Sequence, residues 1–304
     1  MTFHFHMRDD ILQQLRHELL SRTPLDLLPE EVRKRTGALN TWGTNAIEGN
    51  TLTWSEVQKL LLEGQSVGNR PVPDVLETLQ HEAAFRDLLR LRAEPIRITT
   101  ALALHEFVFR GVIKDAGQWR RVNLRISGSK HTPPRMETVV SEMIEWEREY
   151  NARDTKGESV FPLGAWMHHR FESIHPFSNG NGRVGRLLLN LHFLKHDWPP
   201  LHVLPPDRVR YIRALERRHA GDLSPLEDFL KATMGRSLLD LLDQVGTKDD
   251  ELLSLKRLAR SGPYSAKYLA LRSGQGVLPA LKAEGEWRSS ARALMLYRET
   301  TGRG

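Results

Sequence analysis

The sequence predicts a mainly α-helical fold, and three observations carry that expectation. Apolar residues recur at three- and four-residue spacing through most of the 304-residue chain, the mark of helices with one buried stripe. A single segment shows the two-residue alternation of strands. The composition, 39% apolar and 27% charged, is that of a globular protein and excludes a disordered one. The length allows two domains, or one large domain with an appendage. No apolar run approaches the ~18 residues that cross a bilayer, so no membrane partner is expected.

The elements follow in chain order. "DDILQQLRHELL", from Asp9, is the first amphipathic helix. The stretch before it lacks the apolar core and small residues of a secretory signal. In "TNAIEGNTLTWSEVQKLL", from Thr44, Glu48-Gly49-Asn50 ends one helix and Thr53-Trp54-Ser55-Glu56 opens the next. "PDVLETLQHEAAFRDLLRLRAE" continues the helical pattern. The exception is "WRRVNLRISGSKHTPPR", where Val122, Leu124 and Ile126 alternate with polar residues before a Gly-Ser turn. It reads as a short hairpin ending at Pro133 and Pro134. Its cations Arg120, Arg121, Arg125 and Lys130 guard a sheet edge, an edge that could also register an extended peptide. "METVVSEMIEWEREYNAR" and "SPLEDFLKATMGRSLLDLLDQV" return to helix, and "GTKDDE", residues 246 to 251, reads as a linker. The expected division is therefore 1–92, 93–245 and 246–304.

Cysteine is absent, which removes disulfides and thiolate metal sites and suits a cytoplasmic location. The formal charge is +6, from 44 basic and 38 acidic residues. From Thr247 to Gly304 there are 11 Lys/Arg against 6 Asp/Glu, an excess of five in the last fifth of the chain. Such a basic tail points toward nucleic acid, or toward an ordinary solvated or dimerising face.

The chemistry concentrates in "HPFSNGNGRVGR", residues 175 to 186. Gly180, Asn181 and Gly182 stand directly before the apolar run "LLLNLHFL". Small residues there let backbone N–H groups approach an anion, and a helix N-terminus adds positive potential. Arg183 and Arg186, three apart, share a helix face, and guanidinium forks pair with phosphate oxygens. A neutral His175 beside them could take a proton from a hydroxyl attacking phosphorus. His168, His169 and His175 also suggest a metal hydrolase, but no His-Glu-x-x-His or other compact ligand set accompanies them.

This stretch resembles the signature of Fic-domain proteins, enzymes that mostly move AMP from ATP to a protein hydroxyl. "HHRFESIHPF" and "RLLLNLHFLKHDWPPLHVL" resemble the flanking helices, and the likeness covers about residues 40 to 235. The resemblance implies a Fic-type helical bundle with His175 as catalytic base. It assigns ATP to Gly180, Asn181, Gly182, Arg183 and Arg186, and a target-binding flap to residues 119–134, with Ile126, Ser127, Gly128, Ser129 and Lys130 at its tip. Where the family has Asp or Glu for Mg²⁺, this chain has Asn179, which would offer a neutral carbonyl oxygen instead. Thr44 to Gly49 resembles the family's inhibitory motif, so Glu48 would pair with Arg186 and hold the enzyme off.

The run beginning "SAKYLALRSGQGVLPALKAEGEW" at Ser265 reads as helix, turn, short apolar helix, hairpin and last helix. It resembles winged helix-turn-helix units of excisionase-like or MerR-like proteins. That likeness implies DNA contacts from Lys267, Arg272, Lys282, Arg288 and Arg292. The expected function is therefore protein adenylylation with Mg-ATP. The alternative is a DNA-binding regulator whose nucleotide site senses without transfer, although an intact base at His175 serves transfer and not sensing. A homodimer is the plain alternative use of the tail.

Overall fold

The computed structural model describes residues 7–283 and 285–301. The ends of the chain and Glu284, in the expected wing, lie outside the described residues. Two compact units are present, Arg33–Glu227 and Met1–Val32 together with Asp228–Gly304. The expected breaks after residues 92 and 245 are thus displaced. The cause lies in helix α1, Asp9–Arg22, which buries Ile11, Leu12, Leu15 and Leu19 completely and packs against α13, Ala291–Thr301. Periodicity shows that a helix has an apolar stripe but not which distant element covers it.

The larger unit contains α3 (Trp54–Leu61), α4 (Val72–Leu91), α5 (Ile98–Phe109), α6 (Val139–Thr155), α7 (Val160–Ile174), α8 (Asn181–Lys195) and α9 (Arg208–His219). Helix α2, Glu30–Ile47, and helix α10, Ser224–Val245, each contain a unit boundary. At the start of α3 the Thr53 hydroxyl accepts from Glu56 N–H while Glu56 accepts from Thr53 N–H, closing a capping box. Helix α8 is the centre of this unit, with every residue from Arg183 to Leu194 buried and α4, α5 and α7 packed around it. Two of its buried polar side chains are held by distant segments: Asn190 accepts from Leu201 N–H at 2.9 Å, and His192 bonds Val160 O and the Tyr150 hydroxyl.

Residues 119–134 form no strand. Arg120 explains the difference from the expected hairpin. Its Nη1 and Nη2 donate to the carbonyls of Val122 and Pro134, at 2.9 and 2.5 Å, the two sides that a ladder would have joined. Pro133 and Pro134 supply no N–H of their own. What remains of the hairpin is its turn, at Ser127-Gly128, with Gly128 at φ +77 and Ser129 N–H bonded to Ile126 O.

In the smaller unit, β1 (Leu253–Ser254), β2 (Leu281–Ala283) and β3 (Glu286–Ser289) make an antiparallel sheet in the order β1-β3-β2. Helices α11 (Leu255–Leu258) and α12 (Ala266–Gly274) lie between β1 and β2 in the chain. The expected apolar helix after α12 is absent: Val277, Leu278 and Ala280 are buried in an irregular run through Pro279 into β2. The "GTKDDE" segment is no free linker either. Asp250 is wholly buried and accepts from Arg22, Arg292 and Thr247 N–H at 2.6, 2.6 and 2.9 Å. Arg292, expected on DNA, is therefore an internal anchor. Arg272 is likewise held by the Tyr268 and Tyr297 hydroxyls and Gln275. Arg288 sits in β3, opposite Leu281 and Ser254. Lys267 and Lys282 are exposed.

Candidate active site

Helix α7 ends where His175 adopts a left-handed conformation, φ 50 and ψ 60, with its N–H bonded to Phe171 O. The loop 176–180 then reverses the chain into α8. Three groups fix it. Asn181 is 2% exposed, and its side chain both accepts from Phe177 N–H at 2.8 Å and donates to Phe177 O at 2.9 Å. His105 stacks on Phe177 with ring centroids 3.7 Å apart, accepts from Gly117 N–H and bonds Asn179 O. Burial pushes that imidazole down to about 4, so it is neutral at pH 7. Arg120 donates from Nε to His175 O at 2.9 Å. The Asn181 side chain thus braces the loop and leaves its backbone for an anion, the part that an amide nest uses.

Glycine is required at the turn itself. Gly180 has φ +81, and a Cβ there would lie 2.3 Å from the Phe109 ring. A Cβ at Gly182 would lie 2.2 Å from a Glu48 carboxylate oxygen and 2.9 Å from Arg186 Nη1. The floor of the site is thus bare backbone at the N-terminus of a 15-residue helix, where unpaired N–H groups favour anions.

Over that floor lies a cavity of about 180 Å³ lined by His175, Gly182, Arg186, Glu48, Glu172, Tyr211 and the turn residues Ile126, Ser127, Gly128 and Ser129. Burial lowers the His175 pKa, against the opposing pull of its bond to Glu172 O and the Glu48 charge. His175 Nδ1 lies 3.2 Å from that carbonyl. A carbonyl can only accept, so Nδ1 carries the proton and Nε2 is left as a free base.

Arg186 is 4% exposed. Its Nε donates to the Thr44 hydroxyl at 2.6 Å and its Nη2 to Glu48 Oε1 at 2.7 Å. Burial disfavours the cation, but Glu48 and the neighbouring oxygen groups leave it firmly charged. Burial likewise pushes the Glu48 acid up, and Arg186, reinforced by Arg183, brings it net below its ordinary value. The carboxylate retains about a third of its exposure, so it occupies the mouth of the anion site and not the core. Sequence and structure agree on this pair.

Arg183 departs from expectation. It does not line the cavity but lies 2.5 Å from Glu77 and 4.5 Å from the centre of the Phe109 ring. Lys130, at the turn, is exposed and donates its N–H to Glu216 at 3.4 Å. Ser129 bonds Glu216 as well. The carbonyl oxygen of the Asn179 side chain accepts from Gly180 N–H at 2.7 Å. That oxygen is turned onto its own backbone, and among the described residues no cluster of three acidic, His or Cys side chains could hold a metal. A magnesium ion at Asn179 would have one neutral amide oxygen from that residue and would depend on triphosphate and water oxygens for the rest. His168 is structural: wholly buried, it bonds Gly185 O at 3.1 Å and the Tyr211 hydroxyl at 2.6 Å, which removes the metal-hydrolase arrangement.

Several contributors carried no usable sequence signal, namely Arg120, His105, Tyr211, Glu77 and Glu172. Glu172 is the most unusual: 9% exposed, with Oε1 lacking any partner and burial pushing its acid up to about 8. Its position, three before His175, was the only available hint.

Residues 95–193 match the Fic/DOC family. Among curated relatives, protein adenylyltransferase fic-1 of Caenorhabditis elegans is 27% identical over 229 residues, covering 73% of this chain and 44% of the relative. Its counterpart from Caenorhabditis briggsae is 30% identical, covering 63% and 38%. The chain thus spans less than half the length of these two relatives. A solved structure of C. elegans Fic-1, residues 134–508, superposes with a TM-score of 0.65 at 25% identity, over 77% of this chain and 70% of that one. A Fic-domain signalling protein from Bacteroides thetaiotaomicron shares the fold, with a TM-score of 0.70 at 24% identity over 76% of this chain and 97% of that one.

Proposed function

We propose that this chain, whose residues 95–193 belong to the Fic/DOC family, transfers AMP from ATP to a hydroxyl of a target protein and rests in an inhibited state. One observation supports this most: a neutral His175 with Nε2 free lines the same cavity as a bare helix N-terminus and the guanidinium of Arg186. Curated relatives named protein adenylyltransferases agree with it.

The chemistry follows from the residues. The acceptor hydroxyl attacks the α-phosphorus and its proton passes to His175 Nε2, a role worth roughly 10²–10⁴-fold in rate. The new bond joins the hydroxyl oxygen to the α-phosphorus; the bond from that phosphorus to the bridging oxygen breaks, and pyrophosphate leaves. Amides at the start of α8 and the Arg186 guanidinium balance the charge gathering on phosphate oxygens. Magnesium carried on the triphosphate would offset charge there, with Asn179 in place of a protein carboxylate. Ile126 to Ser129 border the cavity, where an extended target segment would lie.

Glu48 holds Arg186 and occupies the space beside Gly182, so it competes with phosphate for both. Glu48→Gly protein incubated with ATP labelled at the α-phosphate should become labelled, and with γ-labelled ATP it should not. Labelling from γ-labelled ATP and none from α-labelled ATP would indicate phosphoryl transfer and overturn the reading.

A second reading concerns the tail. The order β1-β3-β2, with α12 ahead of a hairpin and Lys267 and Lys282 exposed, supports a winged-helix unit that binds DNA. Affinity falling steeply with salt would uphold it, because neutralised phosphates release counterions; absence of binding at low salt would remove it.

A further inference from the structure

The two arginines of the phosphate site are both taken, by different carboxylates. Arg186 holds Glu48 at 2.7 Å, and Arg183 holds Glu77 of α4 at 2.5 Å. The second pair is the more enclosed, with side chains 5% and 12% exposed. The Arg183 guanidinium also lies against the Phe109 ring, 4.5 Å from its centre. A cation so placed presents its fork to α4 and α5 and not to the cavity that His175 and Arg186 line.

The two pairs are joined through the chain. Two residues beyond Glu48, the Asn50 side-chain amide donates to Asp74 O at 3.0 Å and to Glu77 Oε2 at 3.5 Å. Thr51 adds two bonds to the Asp74 carboxylate, at 2.9 and 2.6 Å. Gly49 between them has φ +94 and open space around it. Asn50 thus follows Glu48 closely in the chain and touches Glu77 in space.

We propose that Glu77 is a second inhibitory carboxylate, which keeps Arg183 from the triphosphate and is coupled to Glu48 through Asn50. The inference rests on the nucleotide reading above and adds to it a site closed at two points. The physics is that of competing anions. A buried guanidinium needs a partner, because leaving it unpaired is strongly unfavourable. Phosphate oxygens can take that place only if the carboxylate yields. Opening Glu48 alone frees one arginine, so the second pair still limits affinity by the fraction of time in which Arg183 is available.

The test is ATP affinity by calorimetry in Glu48→Gly and in Glu48→Gly with Glu77→Gln. Gln keeps the shape and loses the charge. The double variant should bind ATP about tenfold more tightly than Glu48→Gly, within the usual range of coupling between sites. A carboxylate that only supported the fold or held Arg183 in a productive pose would give equal or weaker binding, and that result overturns the proposal. If Glu48→Gly itself bound no ATP, the nucleotide reading would fall and this inference with it. Thermal unfolding without nucleotide checks that Glu77→Gln is folded. If it is not, Asn50→Ala in the Glu48→Gly background carries the test: tighter ATP binding supports the proposal and unchanged binding overturns it.

Discussion

Replacing Glu48 by glutamine removes one charge from the inhibitory contact and leaves its shape in place. The wild-type pair is a charge-assisted hydrogen bond of 2.7 Å to a guanidinium that is 5% exposed, from a carboxylate that is 33% exposed. Bonds to charged groups contribute about 1.5–3 kcal/mol, and the glutamine still meets the charged guanidinium, so only part of that is lost. The carboxylate's exposure places the loss toward the lower end, at about 1–1.5 kcal/mol. Because the carboxylate must leave before phosphate binds Arg186, that loss should reappear as about five- to tenfold tighter ATP binding by calorimetry. The pH dependence has a definite sign. The native Glu48 acid lies below its ordinary 4.5, so the contact is fully present above that value and is lost only as pH falls through the lower native pKa. Wild-type inhibition should therefore be flat from pH 5 to 8. Glutamine-variant affinity equal to or weaker than wild type would refute the reasoning, as would inhibition that fades between pH 7 and 5.

Other consequences are structural. Glu172 keeps its proton up to about pH 8 in the native state, against an ordinary value of 4.5. Between those values the native state binds a proton that the unfolded chain has released, and stability falls with rising pH by up to about 1.4 kcal/mol per unit. Glu172→Gln should gain on wild type steadily from pH 5 to 8 in urea unfolding; parallel profiles would contradict the assignment. Asp250→Ala should cost about 3 kcal/mol, because it leaves Arg22 and Arg292 without their shared buried partner; a loss below about 1 kcal/mol would show the anchor to be ornamental. Gly180→Ala should lower stability by about 2–4 kcal/mol in the same assay, from left-handed strain and collision with Phe109. An unchanged midpoint would contradict the described turn.

Some of this was legible in the sequence for physical reasons. The Thr53 capping box and the α8 boundary at Asn181 depend on local spacing, whereas the Glu48 to Arg186 pairing came only from the family resemblance. What escaped depends on contacts between distant segments. Arg120 looked like one more surface cation, yet its side chain takes the carbonyls that the hairpin needed. Arg183 looked equivalent to Arg186, but nothing in the spacing reveals that Glu77, 106 positions earlier, reaches it. Asp250 sat in a polar run that composition marks as a linker; its burial depends on Arg22 and Arg292 arriving from opposite ends of the chain.

The proposed base offers the most direct measurement. Intact mass of a Glu48→Gly protein after incubation with ATP should show the addition of adenylyl groups, and His175→Ala in that background should show none while still binding ATP. The rate of addition should begin to fall only below pH 6.5, since burial holds the His175 imidazole below its ordinary value. Adenylylation that persisted without the imidazole, or a protein that bound ATP and never gained mass, would contradict the account.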